Sequence, residues 1–269
     1  MGDLITMITD FGMGDAYVGI MKGVILGINP NAKIIDVCHT IEPQNIPQAA
    51  FVLSTAYKYF PPDTIHMVIV DPGVGSERKA IVVKTPVAFF VAPDNGVLSY
   101  VIEEAKAEGV ETKAITLTNP IFWRSPVSPT FHGRDIFAPV AAHLSLGVPL
   151  SRMGEPIASL VTFPIHQPRR SVDGTLVCHI IHIDSFGNLI TDAKREDIPV
   201  GKVVMEVAGH RIEGISFTYA EGSELMALVG SSGRLEISVK NGNAARLLGA
   251  KVGDEVRLIV QQPPSLNLP

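Results

Sequence analysis

The sequence predicts an α/β N-terminal domain, with a mostly parallel sheet flanked by helices, followed by a smaller all-β, barrel-like C-terminal domain. Three observations carry this expectation. In the first half, continuous apolar runs alternate with helical segments, the pattern of strands buried on both faces of a parallel sheet. Beyond about residue 172 the runs become short, and Gly and polar turns separate them at close intervals. Between the two regimes, Phe163-Pro164 and Gln167-Pro168-Arg169-Arg170 read as a connector. The domains are therefore drawn at 1–165 and 172–269.

The elements follow in order. The run 4–9 reads as a first strand, broken by Asp10-Phe11-Gly12. Asp15 is placed to cap a helix that runs to Ile28 and stops before Pro30. A second strand spans 33–37. Asn45 caps a helix with Pro47 in its first turn, running to about Tyr59, and Pro61-Pro62 ends it. Residues 64–70, 80–85 and 88–92 are apolar β runs; 96–107 reads as helix, 112–117 as extended, and 135–146 as a final helix. The second domain offers β runs at 176–184, 189–191, 203–207, 211–215, 225–229, 235–239 and 255–260.

Composition narrows the function classes. The chain has 269 residues, is 46% hydrophobic and carries a formal net charge of −5, which points to neither a nucleic-acid polyanion nor an anionic membrane as partner. The opening MGDLITMITDFG has no basic segment and no long apolar segment, so no signal peptide is expected. No uncharged apolar stretch approaches the roughly 20 residues that span a bilayer. Two cysteines, Cys38 and Cys178, stand far apart, which fits a reduced cytoplasm better than a disulfide framework. A cytoplasmic location is expected.

The most informative segment is Asp71-Pro72-Gly73-Val74-Gly75-Ser76-Glu77-Arg78, directly after an apolar strand. Ligands of open α/β sheets bind at the carboxyl ends of strands. Asp71 and Arg78 are therefore expected to face each other across a small pocket, either as reactive groups or as an ion pair closing the loop. Asp10 follows the first strand, and Thr130-Phe131-His132-Gly133-Arg134-Asp135 precedes the last helix, so one acid, one arginine and one histidine can share a cleft. Asp10 can equally cap a turn, and His132 can be an ordinary loop histidine. Asp36, His39, His132 and Asp135 are candidate metal ligands, although no H-x-x-x-H, H-x-E or C-x-x-C spacing supports them. His179 and His182, three apart in a β run, face opposite sides of the strand. Gly73-Val74-Gly75 fits neither a dinucleotide fingerprint nor a P-loop. In the second domain, Asp184-Ser185-Phe186-Gly187-Asn188 joins an aromatic and a carboxamide in one turn, able to stack on and hydrogen-bond a heterocyclic base, or to be a plain Asx turn. Gly230-Ser231-Ser232-Gly233 is a nest for a carboxylate or a hairpin turn, and Asn241-Gly242-Asn243 a turn or a ligand contact.

Taken together, TDFG (9–12), YVGIMKGVI (17–25), DVCHTIEP (36–43), VDPGVGSER (70–78), APDNG (92–96), TFHGRD (130–135), DSFGNLITD (184–192), GSSGRLEI (230–237) and NGNAA (241–245) resemble the S-adenosyl-L-methionine hydroxide adenosyltransferase family, relatives of the fluorinase and chlorinase enzymes. The resemblance covers nearly the whole chain. It implies cleavage of S-adenosyl-L-methionine by water into adenosine and L-methionine, without cofactor or metal. The family's Asp-Arg-His set maps onto Asp71, Arg78 and His132, a set the halogenases lack. Asp10 matches the acid that holds the ribose hydroxyls, and Phe131 and Gly133 match the nucleophile pocket. Asp184 and Ser231 match contacts to the methionine amine and carboxylate; Phe186, Asn188 and the backbone near Asn241 match the adenine site. Gln44 stands where the fluorinase has a tryptophan and Ser232 where it has an arginine. The resemblance also implies a homotrimer, with the ligand between one chain's first domain and a neighbour's second. Two other functions fit the residues alone: a metal-dependent phosphatase using Asp10, Asp36, His39 and Asp71, and a non-catalytic module that binds S-adenosylmethionine or adenosine.

Overall fold

The computed structural model describes residues 3–261, so the end of the expected second domain, from 262 on, lies outside the described residues. The chain forms two compact units, 1–165 and 166–269. In the first unit the strands are β1 (Leu4–Thr9), β2 (Lys33–Cys38), β3 (Thr64–Ile69), β4 (Ala80–Lys84), β5 (Ala88–Pro93), β6 (Lys113–Leu117) and β7 (Gly154–Pro156). They build one seven-stranded sheet in the order β2-β1-β3-β5-β4-β6-β7. Parallel pairing links β2, β1, β3 and β5, whereas β4 runs antiparallel to both β5 and β6. The reversal has a local cause: only three residues, 85–87, separate β4 from β5, too few for the crossover that a parallel pair needs.

Four helices cover the two faces: α1 (Tyr17–Ile28), α2 (Ile46–Ala56), α3 (Ser99–Ala107) and α4 (Ala138–Ser145). Strand alternation sends Ile65, Met67 and Ile69 to the core under α1 and α4, and Val68 to the core under α2 and α3. The α2 start is as the sequence requires, with the Asn45 side chain accepting from the Gln48 N–H and a proline in the first turn. The α1 start differs: Ala16 holds the cap position with no side-chain hydrogen bond, so Asp15 does not cap it. The helix expected over 135–146 begins as a π-helical turn at Gly133–Phe137 and continues as α4. A short α5 (Leu150–Met153) and β7, neither apparent in the sequence, complete this unit.

The second unit is an all-antiparallel sheet of β8 (Arg169–Arg170), β9 (Leu176–Ile183), β10 (Leu189–Lys194), β11 (Val203–Val207), β12 (His210–Glu213), β13 (Leu225–Val229), β14 (Arg234–Val239) and β15 (Glu255–Val260). Its order is β12-β11-β15-β9-β10-β14-β13, and its two end strands approach each other, with a bridge from Ser216 to Leu228 nearly closing a barrel. The interior holds Leu176, Cys178, Ile180, Met205, Leu235, Ile237 and Leu258. A short α6 (Ala244–Leu248) closes one side, capped by the Asn243 side chain. Among the described residues, no helix is long and apolar enough to cross a membrane.

One buried titratable group lies in the first unit's core away from any cavity wall. His66 on β3 is 1% exposed, its Nδ1 2.7 Å from Thr6 Oγ1 and its ring stacked on Phe90. Burial pushes its pKa down from 6.5 to about 4. Between those values the unfolded chain binds a proton that the folded chain refuses. Stability is therefore full above about pH 6.5 and falls by roughly 3 kcal/mol as the pH drops toward 4. His66→Asn, which keeps a polar partner for Thr6, flattens that part of the slope in denaturant titrations run at several pH values.

Candidate active site

Two clusters of polar groups sit at cavities, one in each unit. The first is at the carboxyl edge of the parallel strands. The loop after β3 folds back on itself through Val74 N–H to Asp71 O and Ser76 N–H to Gly73 O, and Ser76 Oγ donates to the same Gly73 carbonyl. This turn returns Arg78 to Asp71. The guanidinium grips the carboxylate with Nε 2.9 Å from Oδ1 and Nη2 on Oδ2, both side chains being almost wholly buried at 10% and 6% exposure. Arg78 Nη2 also lies 2.7 Å from His132 Nδ1. A guanidinium has only donors, so Nδ1 is the acceptor and the imidazole proton sits on Nε2. Burial, reinforced by the Arg78 charge, holds His132 below its ordinary value and so favours this neutral form. Phe137 lies under Arg78 with its ring centre 5.2 Å from Cζ.

Asp71 and His132 border a cavity of about 300 Å³ that Asp10, Phe11, Gln44, Phe131 and Gly133 also line, with Arg78 behind them. Asp10 Oδ2 accepts from the Gln44 N–H at 2.8 Å, and Gln44 takes a left-handed backbone, φ 67°, to make that bond. Among the described residues, none donates to Asp10 Oδ1. Phe131 packs edge to face on Phe11 and Tyr17, which are tilted against each other, and a Cβ at Gly133 would press on Met21 Sδ and the Phe131 ring. The π-helical turn after His132 is pinned by buried Asp135, which accepts two hydrogen bonds from Arg134 and one from the Ser128 N–H.

The four residues of the phosphatase alternative fall into two pairs, Asp10 with Asp71 at the cavity and Asp36 with His39 away from its wall, and do not form one cluster. Asp36 pairs with Lys22 at 2.5 Å and His39 at 2.9 Å, Asp71 is held by Arg78, and Asp10 by Gln44. Among the described residues, no three His, Cys, Asp or Glu side chains are grouped to hold a metal ion.

The second cluster opens on a larger cavity, about 1030 Å³, in the barrel unit, lined by Phe186, Asn188, Tyr219, Asn241, Asn243 and Arg246 with apolar Val239 and Leu247. Asp184 organises its loop: Oδ1 accepts from the Phe186 and Asn188 N–H groups, and Oδ2 from Asn188 Nδ2, all at 2.9 Å. Gly187, φ 87°, lies so close to the Asn243 amide that a Cβ would collide with it. Phe186 is 74% exposed and Asn241 is left-handed at φ 55°. Ser231 is exposed on the β13–β14 turn and does not line this cavity. Tyr219, which no sequence motif singled out, does line it. Its hydroxyl donates to buried Glu236 at 2.6 Å, and burial with that carboxylate pushes the phenol up to about 12. The aromatic pair Phe217 and Tyr219 in a polar loop was the available signal. Gln44 escaped as a donor because the group involved is its backbone N–H.

A reactive polar chain at a sheet edge in one unit and a ligand-sized, amide-rimmed cavity in the other define a two-unit enzyme acting on a small molecule. Comparison with known proteins narrows this class. Residues 5–154 match the model of the SAM hydroxide adenosyltransferase N-terminal domain, and residues 178–257 that of the C-terminal domain. The chain is 38% identical to the (R)-S-adenosyl-L-methionine hydrolase of Methanocaldococcus jannaschii, covering 96% of each chain. It is 37% identical to the enzyme of the same name from Salinispora tropica, over 94% of this chain and 97% of that one. A crystal structure of an uncharacterized conserved protein from Thermotoga maritima superposes with a TM-score of 0.86 at 38% identity, covering 94% of this chain and 99% of that one. The chain belongs to the SAM hydroxide adenosyltransferase family.

The loop that returns Arg78 yields a stability prediction. Gly75 has φ 77°, and a Cβ there would run into the Pro129 carbonyl oxygen. Gly75→Ala is expected to cost about 1–3 kcal/mol, read from the denaturation midpoint.

Proposed function

We propose that the chain hydrolyses S-adenosyl-L-methionine to adenosine and L-methionine by attack of water or hydroxide at ribose C5′. The O–C5′ bond forms as the C5′–S bond breaks, its electron pair stays on sulfur so that methionine leaves as a neutral thioether, and the proton shed by an attacking water passes to solvent. A sulfonium leaving group is already activated, so the protein must supply a positioned, partly desolvated oxygen. The observation that carries this reading is the Asp71–Arg78–His132 chain. With Nδ1 accepting from Arg78, His132 has only its Nε2–H to offer, so in this state it orients the nucleophile as a donor rather than removing its proton. Arg78 stabilises hydroxide character on the oxygen, and Asp71 fixes the guanidinium.

Asp10 takes the ribose hydroxyls with the oxygen not used by Gln44, while Phe131 and Gly133 border the nucleophile. Phe186, Asn188 and Asn241 hold the adenine, with Tyr219 as a further wall. Asp184 and Ser231 contact the methionine amine and carboxylate. We assign the chain to a homotrimer, with the second unit of a neighbouring chain completing the site, on the strength of the family resemblance and of two half-sites carried by separate units. A cytoplasmic location is supported by two free cysteines.

The relatives' name specifies the R epimer of the sulfonium, and we extend that preference to this chain. Incubation with each epimer, followed by chromatography, should give adenosine and methionine faster from the R form, with no effect of chelator. Absence of adenosine at high enzyme concentration would refute the assignment, and chelator-sensitive turnover would revive the phosphatase set. Asp71→Asn and His132→Ala should each lower turnover on the order of 100-fold or more, with substrate binding changed far less; full turnover in both would remove their assigned roles. Protonated Nδ1 cannot accept from Arg78, so turnover should fall with pH through a midpoint below 6.5.

A further inference from the structure

The segment 36–43 carries a polar chain that neither cavity accounts for. Thr9, wholly buried at the end of β1, has its Oγ1 2.9 Å from Nδ1 of buried His39, at the end of β2. The Phe11 N–H donates to the same Oγ1 at 3.3 Å. On the other edge of the ring, His39 Nε2 stands 2.9 Å from Asp36 Oδ1, off the line of a straight hydrogen bond, and Lys22 of α1 holds Asp36 Oδ2 at 2.5 Å. A carboxylate only accepts, so in the neutral imidazole the proton belongs on Nε2, and Nδ1 is left to accept from the Thr9 hydroxyl. Every proton in the chain then has one direction: Phe11 N–H to Thr9, Thr9 O–H to His39, His39 N–H toward Asp36.

The position of this chain gives it a consequence. Asp10 lies between Thr9 and Phe11, the two residues tied at one end. The Gly12 N–H donates to the His39 carbonyl at 2.7 Å, so His39 grips the loop 9–12 by backbone as well as side chain. The chain leaving His39 reaches Gln44, whose N–H takes Asp10 Oδ2. The two loops are thus laced on both sides of Asp10, and Oδ1 is the oxygen left over.

We propose that Thr9 and His39 are positioning residues that hold the Asp10 carboxylate in the orientation that accepts a ribose cis-diol. This rests on the assignment of Asp10 to the ribose. Neither residue touches the ligand. Their effect is confined to the part of the affinity that comes from the 2′ and 3′ hydroxyls. A residue that only stabilised the fold would affect ligands with and without those hydroxyls alike.

The test measures binding of adenosine and of 2′,3′-dideoxyadenosine to the full-length protein by calorimetry. The wild type should prefer adenosine. Thr9→Val, which keeps the shape and removes the hydroxyl, should lower adenosine affinity roughly 3- to 10-fold and leave dideoxyadenosine affinity unchanged. Thr9→Ser should restore the preference. His39→Asn keeps an amide near the place of Nδ1 and should retain the preference, whereas His39→Gln, whose amide replaces Nε2, should lose it; this pair decides the matter where Thr9→Val does not fold. A wild type that binds both nucleosides equally overturns the ribose assignment, and this proposal with it. A wild type with the preference and a Thr9→Val that retains it, or that weakens both nucleosides equally, overturns the positioning role alone.

Discussion

The polar cluster of the α/β unit depends on one buried guanidinium. Arg78 satisfies a carboxylate with a two-pronged grip and an imidazole nitrogen with what remains. Removing a charge like this from water is costly, and the cost is offset only when its partners are complete. Its neighbours therefore have fixed roles. Asp71 must be ionised to balance it, and His132 must turn its bare nitrogen toward it. The Gly-rich loop exists to bring the chain back after seven residues, and the π-helical turn aims His132 from the other side. A lysine could supply the charge but not the planar fork that serves both partners at once.

The two clusters are built on different principles. In the α/β unit, charges and backbone donors converge at strand ends, and the small cavity is bounded by groups that are already paired with one another. In the barrel unit the cavity is wider and mostly apolar, and its polar groups are three asparagine amides with Tyr219, Lys240 and Arg246 at the wall. The first arrangement suits a small polar reactant held tightly. The second suits a flat heterocycle, where stacking supplies affinity and a few amides set orientation. The division of labour follows from the folds, since a parallel sheet edge collects loops and a barrel rim offers surface.

Much of this was legible in the chain, for identifiable reasons. Strands 64–70 and 80–92 are apolar on both faces, which only a covered sheet tolerates, and Asn45 with Pro47 gave an unambiguous helix start. The antiparallel turn between β4 and β5 was legible too, in the shortness of the 85–87 connection. Asp15 misled because a good capping residue was present one position before the real cap. Within the cleft, the spacing brought Asp71 and Arg78 face to face, whereas His132 lies 54 residues beyond Arg78; loop position could bring it to the same cleft, but only resemblance to a family set it apart from an ordinary loop histidine. Ser231 illustrates the opposite limit: the motif locates it in a turn, and the turn lies off the cavity wall where its companions meet. Backbone donors such as the Gln44 N–H are invisible to any residue-type argument, because every residue but proline has one.

The loop 184–188 has a consequence for altering this pocket. Gly187 admits no side chain against Asn243, and Asp184 and Asn188 are tied together by two hydrogen bonds to the Asp184 carboxylate. Asn243 in turn starts α6. Four positions are thus interlocked, and a change at one strands the others. Phe186 and its neighbour Ser185 are exposed on the same loop, and the Phe186 ring lies outside those hydrogen bonds. Diversity at this rim therefore has an open channel: the exposed aromatic can be repainted while the frame that carries it stays invariant.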